Sequence, residues 1–273
     1  MVTVRANLLH KSGKNVPRRF RQLVLGTAVG WLVWRILATR LQRRLSLALP
    51  DTSYGFRHKR SVVMALLAMR LVSEQARAGG KAVALVSVDV TNAFSSVPHE
   101  VIGVALHRCG VPATCGTWKA VMGLLRELRM VVKLGGKEGA AVKVGIGSLQ
   151  GLAMSPTIFL AVMALVREYM APARRKYGMP PPPGGRWEGF ETLFADDEAD
   201  MVAVRQDEDV RAGIEEVMQR RMASTPNTGT ALNPDKTAVV ATGEPRDLHV
   251  SLGGGKWLDV NTGGSVKYLG VFV

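Results

Sequence analysis

Four acidic residues lie within a stretch of five residues, where they could do chemistry with metal ions. They are Asp196, Asp197, Glu198 and Asp200, and apolar residues flank them on both sides. Like charges this close repel one another, and the apolar flanks make that repulsion costly unless a cation neutralises it. Magnesium prefers oxygen ligands and is held by one or two carboxylates together with substrate phosphates. For the stretch taken alone, a solvated acidic turn is the alternative.

A further carboxylate ends a predicted strand elsewhere in the chain. The segment from Ala82 to Asp89 is rich in valine, as buried strands are, and closes on the acid. A lone acid after a strand is otherwise a helix cap or a turn residue. Two strands that bring carboxylates to one end of a sheet could instead hold two metal ions about 4 Å apart, which stabilises the attacking and leaving oxygens of phosphoryl transfer.

The positive charge of the chain is concentrated at its start. Of the net charge of +14, residues 1–60 contribute 13 Lys and Arg residues against the single acid Asp51, while the rest of the chain is nearly neutral. This distribution favours a polyanionic partner, either nucleic acid or an anionic membrane. A carboxylate site beside a cationic N-terminal region indicates a nucleotidyl-transfer enzyme.

Composition argues against several other classes of protein. The hydrophobic content of 47% is too high for a disordered chain. Cys109 and Cys115 cannot form a disulfide framework, and their spacing matches no zinc site. The apolar run from Leu23 to Trp34 is too short to span a bilayer, so we expect a buried amphipathic helix and no membrane partner. A membrane-surface anchor around Trp31 and Trp34 is the least favoured alternative.

The elements that must position these residues can be predicted from periodicity, caps and turn signals. The first ten residues carry no pattern and are expected to be disordered, and the Pro-rich tract near 179–189 is expected to be an inserted surface loop. Ser155 followed by Pro156 predicts an N-cap and a first helical position. Strands and helices mix without strict alternation, which favours an α+β fold with an antiparallel sheet. Helices are predicted at 23–49, 61–78, 98–109, 118–129, 155–170 and 207–222; strands at 82–89, in hairpins within 130–144 and 191–204, and near 237–241, 250–252 and 267–273.

Seven sequence blocks, in order, resemble the motifs of reverse transcriptases of the non-LTR retrotransposon type. The blocks are Lys11 to Lys14 (KSGK) with Phe20 to Leu23 (FRQL), Tyr54 to Ser61 (YGFRHKRS), Asp89 to Glu100 (DVTNAFSSVPHE), Gln150 to Pro156 (QGLAMSP), Phe194 to Asp197 (FADD), Leu232 to Thr237 (LNPDKT) and Lys267 to Val271 (KYLGV).

This resemblance covers about residues 11–273 and implies a right-hand polymerase fold. It places a basic, helical fingers region at 11–81 and a palm at 82–273, whose antiparallel sheet is flanked by helices. A fingers-like excursion is expected near 112–148. The chain ends directly after the last block, so we expect no thumb subdomain within it.

The resemblance implies a metal site and a general acid. Asp89, Asp196 and Asp197 would hold two Mg²⁺ ions, with Mn²⁺ as an alternative, and the backbone carbonyl of Val90 would be a further ligand. Lys236 would protonate the departing pyrophosphate. A lysine in such a turn is otherwise an ordinary exposed residue.

Residues that contact the substrate are implied in the same way. Phe94 would be the steric gate against a ribose 2′-hydroxyl, with an ordinary core phenylalanine as the alternative. Lys14 and Arg21 would grip the triphosphate of the incoming nucleotide. Gln150 and Gly151 would lie under the nascent base pair and the template backbone, where glycine allows close approach.

The partners implied by the resemblance are an RNA template, a DNA primer and deoxynucleoside triphosphates. Arg57, Lys59 and Arg60 would track template phosphates, which makes binding salt dependent. The family resemblance implies the nucleus as the location, with a cytoplasmic ribonucleoprotein as the alternative.

Three positions depart from the family pattern. Gln22 and Ala153 stand where proline is usual, which affects backbone stiffness more than chemistry. Glu198 follows the paired aspartates where an uncharged residue is usual, and its charge would either strengthen cation binding or repel substrate phosphate. We therefore expect an RNA-templated DNA polymerase domain, and the alternative is an inactive fragment that only binds nucleic acid.

Overall fold

The computed structural model describes residues 2–10, 20–134, 136–179, 191–233, 236–241, 248–253, 256–262, 267–269 and 271–272. The chain forms two compact units, the first made of residues 1–49 and 92–162 and the second of residues 50–91 and 163–273. Within the described ranges, no helix is both long and apolar enough to cross a membrane. The assignment of residues 11–81 to fingers and 82–273 to palm follows a different division and stays a prediction.

The helices and strands follow one another along the chain without strict alternation, which gives an α+β fold. In chain order they are β1 (Val2–His10), β2 (Phe20–Leu25), α1 (Ala28–Ala48), α2 (Val62–Ala78), β3 (Lys81–Asp89), α3 (Ala93–Ser96), α4 (His99–Arg108), α5 (Gly116–Arg126), β4 (Leu128–Leu134), β5 (Lys137–Glu138), β6 (Val142–Lys143), α6 (Ser155–Tyr177), β7 (Glu191–Phe194), β8 (Asp197–Arg205), α7 (Val210–Thr228), β9 (Ala238–Ala241), β10 (Leu248–Gly253), β11 (Lys256–Thr262), β12 (Lys267–Tyr268) and β13 (Val271–Phe272).

The first unit contains a sheet of which the sequence predicted only the hairpin within 130–144, where β4 pairs with β5 and β6. Its strand order is β2-β1-β4-β5, with β6 also paired to β4, and β1 and β4 are parallel. The prediction that the first ten residues are disordered is wrong, because β1 pairs on both sides and buries Val4 and Ala6. The predicted start of the first helix at Leu23 is also wrong. Residues 20–25 belong to β2, and α1 begins after Thr27, whose hydroxyl accepts a hydrogen bond from the Gly30 N–H.

Strand β2 is tied to the loop that precedes α6. The Val24 N–H donates to the Gln150 carbonyl at 3.0 Å. Gly151 has a left-handed φ of +108°, and a Cβ built on it would lie 2.5 Å from the Val24 carbonyl oxygen. Glycine is therefore required here by backbone conformation and by close approach to a neighbouring strand.

Helix α6 differs from its prediction at both ends. The helix begins at Ser155 itself, one residue earlier than an N-cap at this position would give. The Ser155 hydroxyl does not cap the helix but donates to the Leu149 carbonyl at 2.8 Å. At the other end, the helix continues past Met170 through Pro172 to Tyr177.

The second unit is built on a six-stranded sheet of order β10-β11-β9-β3-β8-β7. The predicted antiparallel sheet holds for every pair except β9 with β11, which is parallel, and β11 itself was not predicted. Because side chains alternate along a strand, β3 and β8 bury residues on both faces. One face packs against α2 (the α2 face), with a core of Val72, Ala76, Val83, Met179, Met201 and Ala203. The other packs against α7 and the end of α6 (the α7 face), with a core that includes Ala84, Val86, Val88, Met170, Val202, Ile214 and Val217.

Several predicted elements of the second unit are confirmed. Helix α2 begins after Ser61, whose hydroxyl accepts from the Met64 N–H at 3.3 Å, and it ends at Ala78. The valine-rich segment forms the central strand β3 and ends at Asp89.

The close approach at Gly151 predicts that Gly151→Ala destabilises the protein. The added Cβ would meet the Val24 backbone, and alanine is strained at this φ, so we expect unfolding to become easier by more than about 1 kcal/mol. Urea denaturation followed by tryptophan fluorescence measures this change. The matched control is Gly123→Ala in α5, where a Cβ meets nothing within 4 Å and a helical alanine should stabilise. Equal stability of Gly151→Ala and wild type would contradict the argument.

Candidate active site

The register between β3 and β8 brings two of the predicted metal ligands together. Asp89, the last residue of β3, is directly opposite Asp197, the first residue of β8. Directly opposite residues of an antiparallel pair point to the same face of the sheet and lie close together. Asp196 precedes Asp197 in the turn that joins β7 to β8. The three carboxylates that were predicted as ligands therefore converge at one end of the sheet.

The turn that carries Asp196 is tight and strained. It consists of Ala195 and Asp196, between the paired residues Phe194 and Asp197. Ala195 has φ +63°, a left-handed conformation that two-residue hairpin turns normally fill with glycine at this position. Strain of this kind is kept only where the surrounding structure holds it in place.

A loop from the second unit's N-terminal segment clamps the turn. The Leu193 N–H donates to the Thr52 carbonyl at 3.0 Å, and the Tyr54 N–H donates back to the Leu193 carbonyl at 2.7 Å. A Cβ built on Gly55 would lie 2.3 Å from the Ala195 nitrogen, so the loop backbone touches the turn. Sequence reasoning missed this role, since it assigned the block around Gly55 to the template alone.

Buried Tyr268 supports the same hairpin. Its hydroxyl lies 2.9 Å from the Thr192 hydroxyl and donates to the Thr192 carbonyl at 3.1 Å. This tyrosine belongs to the last of the sequence blocks, for which no individual role was predicted.

Asp89 is held from the other side by the segment before β9. The Lys236 ammonium lies 3.1 and 3.2 Å from the two carboxylate oxygens of Asp89, and the Asn233 side-chain amide donates to one of them at 3.1 Å. The Asn233 N–H also donates to the Asp89 carbonyl at 2.9 Å. Lys236 is thus the counter-ion of Asp89, a contact that the sequence did not predict. Its role as a general acid stays a prediction.

The backbone at Val90 is fixed by a bridge to Leu232. The bridge uses the Thr91 N–H, which donates to the Ala231 carbonyl at 2.8 Å, and the Asp89 carbonyl. Neither of these bonds uses the Val90 carbonyl, so the bridge is compatible with that carbonyl as a ligand.

The crowding of carboxylates shows in the pKa of Asp197. Burial, the largest cause, and the charges of Asp196 and Asp89 together raise this pKa to about 6, against the opposing charge of Lys236. In the part of the chain that the structure describes, no three His, Cys, Asp or Glu side chains are already gathered as a ligand set. The residues nevertheless fit a divalent cation, because all the donors are oxygens and a cation would relieve their repulsion.

The other two acids of the cluster do not belong to this site. In β8, Glu198 and Asp200 point to the α7 face, opposite to Asp197. The Glu198 side chain is 1% exposed and pairs with Arg221 at 2.8 Å. Asp200 is fully buried, and burial raises its pKa well above the usual range, with Glu198 raising it further and Arg221 lowering it. The four acids therefore do not form one solvated turn, and the expectation of a Glu198 charge beside the metals is wrong.

The three residues predicted to track the template lie in the loop between α1 and α2. Arg57 donates to the carbonyls of Pro50 and Ser53, and burial lowers its pKa. Arg60 pairs with Asp51 at 2.9 Å and stacks on the Tyr54 ring at 5.4 Å. Both arginines therefore brace the loop, and Lys59 presents an exposed side chain.

The predicted substrate-binding residues that are described lie in the first unit. The Phe94 ring is half-buried and packs on Phe159 with a centroid distance of 5.1 Å. Gln150 and Gly151 contact β2, as described above. Lys14 lies outside the described residues, as does the side chain of Arg21, whose backbone pairs with Leu9. The substrate roles of these residues stay predictions.

Comparison with solved structures shows that the fold is similar to that of telomerase. The chain is similar to apo telomerase from Candida tropicalis truncated from its C-terminal domain, with a TM-score of 0.63 and 11% identity over 95% of this chain and 53% of that one. It is also similar to telomerase from Candida albicans in complex with a fragment of telomeric RNA, with a TM-score of 0.62 and 12% identity over 100% of this chain and 45% of that one. At these identities the likeness concerns the fold alone.

Comparison of sequences identifies the family. The model of the family described as reverse transcriptase (RNA-dependent DNA polymerase) matches residues 9–273, so the chain belongs to this family. The chain is also 31% identical over 162 residues to the retrovirus-related Pol polyprotein from type-1 retrotransposable element R2 of Popillia japonica. The match covers 59% of this chain and 22% of that polyprotein. The resemblance inferred from the sequence blocks is confirmed.

The contact between Gly55 and the turn predicts a local effect of Gly55→Ala. The added Cβ cannot fit 2.3 Å from the Ala195 nitrogen, so the loop must move away from β7. We expect amide exchange at Tyr54 and Leu193 to become at least about tenfold faster, because local opening costs less. Hydrogen exchange followed by mass spectrometry measures it. Gly79→Ala, where the nearest contact is 3.4 Å, is the control, and unchanged protection at Leu193 would contradict the contact.

The raised pKa of Asp197 predicts how stability depends on pH. The folded protein binds more protons at this residue than the unfolded chain between the ordinary pKa of 3.8 and about 6, so this contribution to stability is lost as the pH rises through that window. Without divalent cations, Asp197→Asn should therefore gain stability relative to wild type at pH 7 but not at pH 4. After solvent screening we expect about 1 kcal/mol, or about 2–4 °C in Tm. Thermal denaturation at both pH values, with exposed Asp207→Asn as control, tests this; a gain equal at both would contradict it.

Proposed function

We propose that this chain is the RNA-templated DNA polymerase domain of a retroelement. It would transfer nucleotides from deoxynucleoside triphosphates to the 3′-hydroxyl of a DNA primer paired with an RNA template. The observation that carries the proposal is the direct pairing of Asp89 with Asp197, beside the turn that holds Asp196. Membership of the reverse transcriptase family and similarity to the R2 polyprotein support the reaction and the retroelement origin.

The three aspartates and the Val90 carbonyl would hold divalent cations, which we propose to be two Mg²⁺ ions, with Mn²⁺ as the alternative. When bound, such cations lower the pKa of a primer hydroxyl and neutralise the charge of the triphosphate and pyrophosphate. The chain prepares the site by bringing Asp89 and Asp197 opposite each other and by fixing the Val90 backbone through Leu232.

Lys236 would act on the phosphates as well as on Asp89. Its ammonium contacts both oxygens of Asp89, and the Lys236 side chain is 64% exposed. A lysine so placed orients the carboxylate and presents donors to a negatively charged leaving group. We propose that it holds the proton that pyrophosphate needs on departure.

The residues identified by their sequence motifs would select and bind the substrates. Phe94 would exclude a ribose 2′-hydroxyl, and Gln150 and Gly151 would support the nascent pair and template. Lys14 and Arg21 would bind the triphosphate. The fingers and palm divide near residue 82 in this proposal, and the nucleus, where target DNA lies, is the proposed location.

For the template contact, the surroundings of the basic loop favour Lys59. Arg57 is hydrogen-bonded to a backbone carbonyl of the loop, and Arg60 contacts Asp51 and Tyr54. Both arginines therefore brace the loop, in addition to any contact with phosphate. The exposed Lys59 is the residue of the three best able to reach a phosphate.

One argument for the alternative, an inactive fragment that only binds nucleic acid, no longer holds. It rested in part on a negative charge at Glu198 that would repel substrate phosphate. That carboxylate is buried on the α7 face and is paired with Arg221. Glu198 therefore gives no reason to expect an inactive site.

Primer extension on an RNA template tests the proposal. Asp197→Asn should lower the rate of nucleotide incorporation at least about a hundredfold, because a metal ligand supplies several kcal/mol of transition-state stabilisation. Asp207→Asn, an exposed carboxylate two residues beyond the end of β8, is the matched control and should extend primers as wild type does. Equal incorporation by Asp197→Asn and wild type would sink the assignment of the catalytic site. Salt-sensitive RNA binding without incorporation by wild type would favour the inactive alternative.

A further inference from the structure

A single arginine in the core of the second unit contacts both the strand that carries Asp197 and the segment that holds Asp89. Arg221 lies in α7, and its side chain is fully buried. Its Nε donates to the Glu198 carboxylate at 2.8 Å. Its Nη1 donates to the Ser224 hydroxyl at 3.0 Å, the Thr230 carbonyl at 3.1 Å and the Thr230 hydroxyl at 3.2 Å. The guanidinium thus has two groups of partners, distant in sequence from one another.

The first group of partners fixes the start of β8. Glu198 follows Asp197 directly and is paired across the sheet with Val88 on one side and Leu193 on the other. Since neighbouring residues of a strand point to opposite faces, holding Glu198 on the α7 face holds Asp197 on the α2 face. Arg221 therefore anchors Asp197 from behind the sheet.

The second group fixes the segment that holds Asp89. Thr230 is followed by Ala231, whose carbonyl accepts from the Thr91 N–H at 2.8 Å. Asn233, three residues after Thr230, bonds both the backbone and the side chain of Asp89. The path from Arg221 to Asp89 is thus a short run of backbone in which successive residues are hydrogen-bonded.

We propose that Arg221 is a positioning residue for the metal site, which sets the placement of Asp197 through Glu198 and of Asp89 through Thr230. This inference rests on the proposed function. Arg221 touches neither substrate nor the reacting atoms, and its effect passes through the two segments it joins. A buried ion pair is poor at stabilising a fold, because apolar residues of similar volume often do so as well or better. Geometry at the carboxylates is the property that the pair supplies here.

Two conservative substitutions separate geometry from charge. Arg221→Lys keeps the positive charge, but a single ammonium cannot reproduce the fork that bonds Glu198 and Thr230 together. Glu198→Gln removes the negative charge, but its amide oxygen still accepts from Arg221 Nε. If positioning is the role, Arg221→Lys should need more Mg²⁺ than wild type, and the Mg²⁺ dependence of Glu198→Gln should stay close to that of wild type.

The readout is the dependence on Mg²⁺, measured in two ways. The first is the Mg²⁺ concentration that gives half-maximal primer extension, and the second is the concentration that gives half of the Mg²⁺-induced rise in Tm. For Arg221→Lys we expect both to rise about 10- to 100-fold, as for residues that orient metal ligands. The KM for the RNA and primer should not change. The second readout needs no polymerisation, so it tests the positioning role even where the activity assay fails.

The matched control removes another ion pair from the same helix. Arg211 and Glu215 pair at 3.0 Å near the start of α7, with both side chains partly exposed. The double variant Arg211→Met with Glu215→Met should bind Mg²⁺ as wild type does. The corresponding core variant, Glu198→Met with Arg221→Met, leaves no uncompensated charge in this pair and is expected to fold. It should show the same weakened Mg²⁺ dependence as Arg221→Lys.

Two results would overturn the inference. One is wild-type Mg²⁺ dependence in both Arg221→Lys and the core double variant, since the fork would then have no effect on the carboxylates. The other is a defect in Glu198→Gln as large as that in Arg221→Lys, which would make the charge of Glu198 the important property. If wild type extends primers and Asp197→Asn does not, either result removes the positioning role and leaves the proposed function in place.

Discussion

The antiparallel register of β3 and β8 is the constraint on which the candidate site depends. Because the side chains of a strand alternate, a slip of one residue would send Asp197 to the face opposite Asp89. The register is fixed by burial on both faces, since Val83 and Met201 pack toward α2 while Val86 and Val202 pack toward α7. A slip would therefore exchange two packed cores at once. The position of the carboxylates is a consequence of apolar packing several residues away from them.

The same alternation divides the acidic cluster into two environments. Asp197 lies where Lys236 and a partly open strand end can moderate its charge, and its pKa is raised to about 6. Glu198 lies in the core, where only a buried partner can support a charge, and Arg221 is that partner. Each side of the sheet thus has its own cation, so adjacent acids in the sequence do not form one electrostatic site.

The sequence predicted the elements whose signals are local. Asp89 at the end of a valine-rich run and the capping of α2 by Ser61 were both readable, since strand composition and caps act over a few residues. Strand β2 was not, because its apolar residues continue almost without a break into α1 and hide the change of period. Arg221 was missed for a different reason: it is one of two adjacent arginines in a polar helix, and only tertiary packing distinguishes the buried one. The roles of Gly55 and Lys236 also depend on contacts between segments more than a hundred residues apart.

Several features around the site are unfavourable when considered one at a time. Ala195 is left-handed, Asp197 is crowded by like charges, and Glu198 and Arg221 are ions buried in a core. Each costs free energy that a glycine, an amide or a pair of apolar residues would not cost. Because β3 and β8 form the centre of a sheet with both faces packed, their apolar contacts can offset these costs without changing the backbone path. When several preferences of backbone conformation, charge and burial are broken at one place in a fold that follows them elsewhere, that place is indicated as a site selected for geometry and charge more than for stability. The carboxylate end of this sheet meets that description, which is a physical reason, independent of the sequence motifs, to regard it as the catalytic centre.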